Sequence, residues 1–405
     1  AASPQGDATA FVGELYIANL DRIEILRGSG SSLYGSHAIG GAVNLITRTG
    51  SGRPSGDVAA EAGGLGFSRA TAHAGGGAFN DRVTFSLGAG HTRTVHGVDG
   101  DDDARNTSIE GRADVRLAAS ARATVRVYGS DAASSLNESP AAVGPLPSTG
   151  FVHAGPATFI PAANDPDSVR DSDFLSTVLR FEQRLSSAFG YTVSLHRLTT
   201  DRVFRDGPLG VSAFEPITRN QSRFKGSVET FDVGADHEWS ARHVTTLGYE
   251  LERERYVSES LPVNPLLAWN ADITQDSHAA SVQHEVRFDA VQVAASLRGQ
   301  RFALKEVTLT PAERAPFAAA SFNAPPASLT ADVAATRWIA QAGTKFRAHA
   351  GSAYRAPTAF ERVGVSFGSR GYSVFGDPQL APEQSVSIDA GVDQTFSSGR
   401  ALISA

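Results

Sequence analysis

Ile109 to Leu117, IEGRADVRL, is the stretch on which the reading of the fold turns. Extended, it puts Ile109, Gly111, Ala113, Val115 and Leu117 on one side and Glu110, Arg112, Asp114 and Arg116 on the other, because successive side chains of a strand point to opposite faces. A helix would scatter the charges around its axis. The same split recurs in Ala123, Val125 and Val127 against Arg122, Thr124 and Arg126. It recurs in Phe231, Val233 and Ala235 against Asp232 and Asp236, and in Val386, Ile388, Ala390 and Val392 against Ser387, Asp389 and Asp393. From about residue 52 onward the alternation runs in segments of about ten residues, which predicts about fifteen strands.

The joins between these strands are sorted by parity. Short joins are expected at Ala78 to Asp81, Ala119 to Ala121, Ser186 to Ala188, Ser240 to Arg242, Asp289 to Ala290, Gln341 to Gly343 and Ser397 to Gly399. Long joins alternate with them: Thr94 to Arg105, Ala133 to Arg170, Asp201 to Arg223, Ser258 to Ser277, Lys305 to Ser328 and Arg355 to Leu380. In an up-and-down meander every second join lies on the same rim, so one rim has tight turns and the other large loops. Transmembrane barrels of the outer-membrane type have that asymmetry, whereas a soluble sandwich or propeller has no reason for it. In lipid, the charged face, with Glu250, Glu252 and Glu254 as a second example, must be the lumen. In a soluble open sheet the same charges would form the solvated face.

Composition narrows the classes. Cysteine is absent, which excludes disulfide scaffolds, thiolate metal sites and cysteine nucleophiles. The net charge of -7 does not suit a nucleic-acid groove. No run of about 18 apolar residues suggests a transmembrane helix, a statement that leaves barrel strands open. Methionine is absent and the first twenty residues carry no basic leader, so a processed chain or a piece of a longer one is expected.

Before the alternation begins, Leu20 to Gly50 reads LDRIEILRGSGSSLYGSHAIGGAVNLITRTG. A short strand (Arg22 to Leu26), a Gly/Ser turn, a brief helical stretch, the pair Gly40 and Gly41, and a second strand (Ala42 to Thr47) are expected. Enzyme motifs fail here. The dinucleotide fingerprint lacks its third glycine after Gly28 and Gly30, no Gly-Lys-Ser/Thr follows for a phosphate loop, and neither Ser31 nor Ser32 has the flanking glycines of a nucleophile elbow.

This segment resembles the end of the plug domain of TonB-dependent outer-membrane receptors, at Arg22, Ile23, Glu24, Leu26, Arg27, Gly28, Ser31, Leu33, Tyr34, Gly35, Ala38, Gly40, Gly41, Asn44, Ile46 and Thr47. Ser29 stands where the family usually has proline. A second resemblance lies downstream, in Tyr354, Arg355, Ala356, Pro357 and Thr358 followed by Gly376, Pro378, Leu380, Pro382, Glu383 and Ser385, which are similar to the family's barrel signature, with Asp377 standing where asparagine is common. The resemblance implies an all-β fold: a transmembrane antiparallel β-barrel of 22 strands around a plug, here incomplete at about fifteen strands. Residues 1–50 would be the C-terminal part of the plug and 51–405 a partial barrel. The front of the plug, the TonB box and a terminal aromatic are expected to be missing, and an unclosed barrel would expose two strand edges.

The resemblance also implies a function without catalysis: high-affinity binding of a bulky, scarce solute, with plug rearrangement driven by TonB and its inner-membrane energising complex. A ferric siderophore is the leading cargo, with cobalamin or haem as related cargos, and the receptor is expected to be a monomer in the bilayer. Arg27 would pair with Asp389, which sits where the family often has a glutamate, and so seat the plug. Asp99, Asp101, Asp102 and Asp103 could wrap a calcium ion on the extracellular rim, as loops of some cobalamin receptors in this family do; an ordinary solvated loop is the alternative. His37 has no second histidine at ligand spacing and reads as a polar loop residue. Tyr128, Tyr191, Trp239, Tyr249 and Trp338 fit interfacial girdles. The join from Ala133 to Arg170 is the expected cargo contact. A passive porin or a secreted carbohydrate-binding protein or lyase would account for the strands, but neither needs the segment from Arg22 to Thr47.

Overall fold

The computed structural model describes residues 18–36, 38–97, 103–136, 152–154, 157–159, 167–207, 220–260, 268–310, 322–368, 371–374, 376–396 and 401–404. The first element is a hairpin of its own, β1 (Leu20–Arg27) antiparallel to β2 (Gly41–Thr47), with the four-residue helix α1 (Ser31–Tyr34) between them. The closing pair is Arg27 with Gly41. Gly41 has φ +144, and a Cβ on it would lie 2.2 Å from the Leu26 carbonyl oxygen, so no side chain fits at this crossing.

Fifteen of the remaining strands form one antiparallel sheet. They are β3 (Ser55–Ala62), β4 (Ser68–Ala78), β5 (Val83–Thr94), β6 (Ala104–Ala118) and β7 (Ala121–Ser135), then β10 (Val169–Arg184), β11 (Phe189–Asp206), β12 (Asn220–Ser240) and β13 (His243–Ser260). There follow β14 (Trp269–Arg287), β15 (Val291–Thr310), β16 (Ser328–Ile339), β17 (Thr344–Arg355), β20 (Glu383–Phe396) and β21 (Ala401–Ser404). Two small hairpins, β8 (Val152–Ala154) with β9 (Ala157–Phe159) and β18 (Val365–Gly368) with β19 (Gly371–Val374), stand in long joins. The sheet has 15 strands in chain order, an up-and-down meander that does not close on itself and has β3 and β21 as its edges.

The wall is built inside out. Ser86, Ser108, Thr124, Ser194, Thr200 and Arg298 are buried, while Leu87, Ile109, Val125, Leu195, Leu247 and Leu297 on the opposite face are exposed. In water that arrangement would cost heavily, whereas in lipid it is the stable one. Val125 and Val127 point away from the bore, as the alternation requires.

The strands overrun the ten-residue segments expected from the pattern: β11 has 18 residues, β12 has 21 and β15 has 20. The long joins shrink accordingly, with β11 reaching Asp206 and β12 beginning at Asn220. A spanning strand needs only about 9–11 residues. Beyond the apolar band the outer face changes to ion pairs, Arg197 with Glu229, Arg253 with Asp276 and Arg255 with Asp272. The backbone ladder continues where the apolar signal has stopped. A second correction concerns Tyr128, which lies on the polar face, edge-on to Phe174 at 5.6 Å, and so is not part of an outer girdle.

One apolar cluster fills the lumen side near the long-join ends of β13 to β15: Tyr256, Trp269, Ala271, Ile273 and Leu309, with Phe322 and Val363. Val363 belongs to a second helix, α2 (Ala359–Val363), which folds back from the join after β17.

Candidate functional site

The site is the seam between the first hairpin and the wall. At one end Asn19, fully buried, meets β5 and β6: its N–H donates to Glu110 Oε1 at 3.3 Å, and Ser86 Oγ donates to its Oδ1 at 2.9 Å. Gly88 makes room, since a Cβ there would stand 2.7 Å from Asn19 Cβ. At the other end the turn and α1 meet β15, β16, β17 and β20. Ser32 Oγ and Ser296 Oγ are 2.7 Å apart, Ser31 Oγ accepts from the Tyr354 N–H at 3.2 Å, and Ser36 Oγ accepts from the Ala356 N–H at 3.3 Å. Gly35 lies against the Arg298 guanidinium, which is itself held by Glu250 at 2.6 Å. The hairpin thus bridges two distant parts of the wall on its polar face.

The seam is made mostly of hydroxyl and backbone contacts, with the carboxylates of Glu110 and Asp332 accepting at two of them. Each hydroxyl contact contributes about 1 kcal/mol. Such a seam holds by number and can be released stepwise.

The two signature segments converge here. Ser31 and Ser36 of the first contact Tyr354 and Ala356 of the second, 323 residues apart in the case of Ser31 and Tyr354. Within the second segment Arg355 pairs with Glu361 and Glu383, each at 2.5 Å, and Pro357 is buried. The Pro378 carbonyl accepts from Arg362, while Leu380 is exposed and Pro382 is half-buried. In the hairpin, Arg22 donates to Glu24 at 2.8 Å and Asn44 donates to Glu24 at 3.1 Å. The Arg22 hydrogen bond first, then that of Asn44, holds the Glu24 carboxyl below its ordinary range. Leu33 and Tyr34 are exposed, and nothing lies within 4 Å of a Cβ built on Gly40.

The expected pair of Arg27 with Asp389 does not form. Arg27 is exposed and has no ion pair among the described residues. Gly28, at φ +93, turns the chain so that Gly28 and Ser29 meet β20. Asp389 Oδ2 instead faces His349 Nδ1 at 3.4 Å. Of the acidic run, Asp99, Asp101 and Asp102 lie outside the described residues, as does His37, and Asp103 pairs with Arg93 at 2.8 Å. The join from Ala133 to Arg170 falls largely outside them as well. Residues that the pattern did not single out are Asn19, Ser296, Asp332, His349, Gly351 and Ser387. For all but Asn19, which precedes the alternation, the only signal was a place on its polar side.

The family described as "TonB dependent receptor-like, beta-barrel" matches residues 116–405, and "TonB-dependent Receptor Plug Domain" matches residues 3–42. No curated protein matches the chain. Among solved structures, the siderophore receptor PirA from Acinetobacter baumannii is similar at 15% identity and a TM-score of 0.66, over 93% of this chain and 55% of that one. FpvA from P. aeruginosa, bound to a heterologous pyoverdine, is similar at 12% and 0.70, over 98% and 54%. The copper transporter OprC is similar at 14% and 0.72, over 98% and 59%. These likenesses are of fold, and the chain spans little more than half the length of each.

Proposed function

The chain belongs to the TonB-dependent receptor family of Gram-negative outer membranes, and we propose that the full-length protein imports a bulky, scarce metal chelate, a ferric siderophore first of all. The family is one of transport receptors and not of enzymes. The observation that carries the proposal is the hydroxyl seam, which seats the hairpin in a polar bore while leaving it releasable. A passive pore has no use for such a seat. Force from TonB and its inner-membrane complex would break the contacts one after another, and cargo binding above the plug would be the signal for it. Siderophores lead among cargos because PirA is a siderophore receptor and FpvA is bound to a pyoverdine; OprC, a copper transporter, keeps other metal cargos in view.

The test is growth of a strain that depends on the full-length receptor under iron limitation, supplied with purified ferric siderophores one at a time. Saturable uptake of one chelate, lost when TonB is deleted, is the expected result. Uptake that persists without TonB would overturn the proposal. Uptake of cobalamin or haem instead would keep the mechanism and replace the cargo.

A further inference from the structure

Three arginines stand side by side at the short-join end of the bore. Arg116 of β6 is paired in register with Arg122 of β7, and the Arg116 N–H donates to the Arg82 carbonyl at 2.8 Å, which brings the residue before β5 into the same row. Like charges directly opposite one another on neighbouring strands repel. Arg82 donates from Nε and Nη2 to the carbonyls of Arg116 and Leu117, at 3.1 and 3.4 Å, which fixes its guanidinium without neutralising it. The Arg116 and Arg122 side chains are exposed and have no hydrogen bond or ion pair among the described residues. The carboxylates nearby are committed. Glu182, the register partner of Arg122 on β10, holds Arg180 at 2.6 Å. Asp114 holds Arg112 at 2.6 Å and accepts from Thr124 at 2.7 Å, and Asp81 accepts from the Gly52 N–H at 2.8 Å.

The row borders a cavity of about 270 Å³, which Thr49 and Ser51 line from the chain leaving β2 and Thr84 lines from β5. Gly50 presses that chain flat against the wall, since a Cβ on it would lie 1.9 Å from the Phe85 carbonyl oxygen. Four arginines and two aspartates line the cavity, a surplus of two positive charges beside three hydroxyls. We propose that this cavity is a binding site for a phosphate-type oxyanion, which Arg116 and Arg122 hold from the wall and which fastens the chain leaving the plug hairpin to β5, β6 and β7. A tetrahedral dianion matches the surplus charge, and each guanidinium fork presents paired N–H donors that fit its oxygens. The hydroxyls of Thr49 and Ser51 donate to the oxygens that remain, so the ion touches plug and wall at once. The volume admits such an ion with a few waters, at about 30 Å³ of liquid per water.

The test titrates purified full-length receptor in detergent with inorganic phosphate by calorimetry, against potassium chloride at equal ionic strength. One saturable site per chain is expected. Arg116→Ala and Arg122→Ala should each weaken it roughly tenfold, the scale of one charge-assisted hydrogen bond, and the double variant should lose it. Arg287→Ala, which removes an exposed arginine held by Glu285 at the same end of the wall, should bind as wild type does. Phosphate should also slow hydrogen exchange over residues 48–52 in the wild type and leave it unchanged in the double variant. Heat-modifiable gel mobility checks that each variant forms the barrel. Chloride that matches phosphate, or a double variant that binds as tightly as wild type, overturns the site, and exchange over 48–52 that ignores bound phosphate overturns the fastening. The site rests on the reading of the hairpin as plug but not on uptake. Saturable phosphate binding without TonB-dependent import would keep the site and sink the transport proposal, and import without phosphate binding would do the reverse.

Discussion

Gly351 is the wall position where one methyl group would do most damage. A Cβ there would stand 1.9 Å from Asp332 Oδ1 and 2.6 Å from Ser29 Oγ, so wall and plug both approach through the space a side chain would take. Gly351→Ala should push the plug turn off the wall at a cost of about 1–3 kcal/mol, the usual range for overpacking. Limited proteolysis of the full-length receptor measures it: cleavage within residues 18–50 should accelerate while the barrel stays intact, and unchanged protection would refute the packing argument. The residue scale is also where sequence reasoning missed. It identified Asp389 as a partner at the plug but assigned it to Arg27, because a charge motif does not reveal where a chain turns. The positive φ of Gly28 sends Arg27 outward and brings Ser29 in. Single hydroxyls carry no periodic signal, so Ser296 and Ser387 could not be told from any other serine on a polar face.

Helix α2 shows how a short element can be held without length. Five residues are too few for a helix to persist alone, and a capping box fastens its first turn, with Thr358 Oγ1 accepting from the Glu361 N–H at 3.2 Å and Glu361 Oε2 accepting from the Thr358 N–H at 2.8 Å. Arg362 fastens the far side, donating to the Asn323 carbonyl at 2.7 Å and lying 5.2 Å from the Phe322 ring centroid. Burial alone would raise the Glu361 carboxyl, but the Arg355 hydrogen bond and the Thr358 N–H outweigh it and hold the group below its ordinary range. A carboxyl depressed in the folded state contributes its full stabilisation above its unfolded value of about 4.3 and loses it as pH falls through the folded value. Docking of α2 should therefore weaken on acidification below about pH 4. Trp269, buried in the cluster that Val363 completes, reports it by a red-shifted fluorescence. Glu361→Gln should weaken docking by about 1 kcal/mol at neutral pH and flatten the acid transition. An acid transition identical to wild type would refute this account. The Thr358 to Glu361 spacing is a legible capping signal. The return of the helix onto β13 to β15 is not, because nothing local encodes a contact across the bore.

The whole molecule is an inverted globule, wet within and apolar without, and lipid decides the sign of each substitution. Leu195 is 50% exposed on the outer face and Ser194 is 5% exposed beside it. Leu195→Arg should cost about 2–4 kcal/mol if it stands near the bilayer midplane, read as lost heat-modifiable gel mobility after refolding into liposomes. Tolerance of that arginine equal to tolerance on the inner face would refute the lipid-facing assignment. The alternation from Ile109 to Leu117 and its repeats determined by themselves that the chain is a meander of strands with one polar face. Join parity and the two signature segments determined which family of barrels it joins. Those are properties of neighbours along the chain, and a period of two survives any tertiary arrangement. Only the tertiary structure decided how far each strand runs beyond the apolar band, that the two signatures touch, and that His349 stands where an arginine was expected. Each of these depends on residues far apart in sequence meeting across a bore, and register and turn direction, to which composition and spacing are blind, set those meetings.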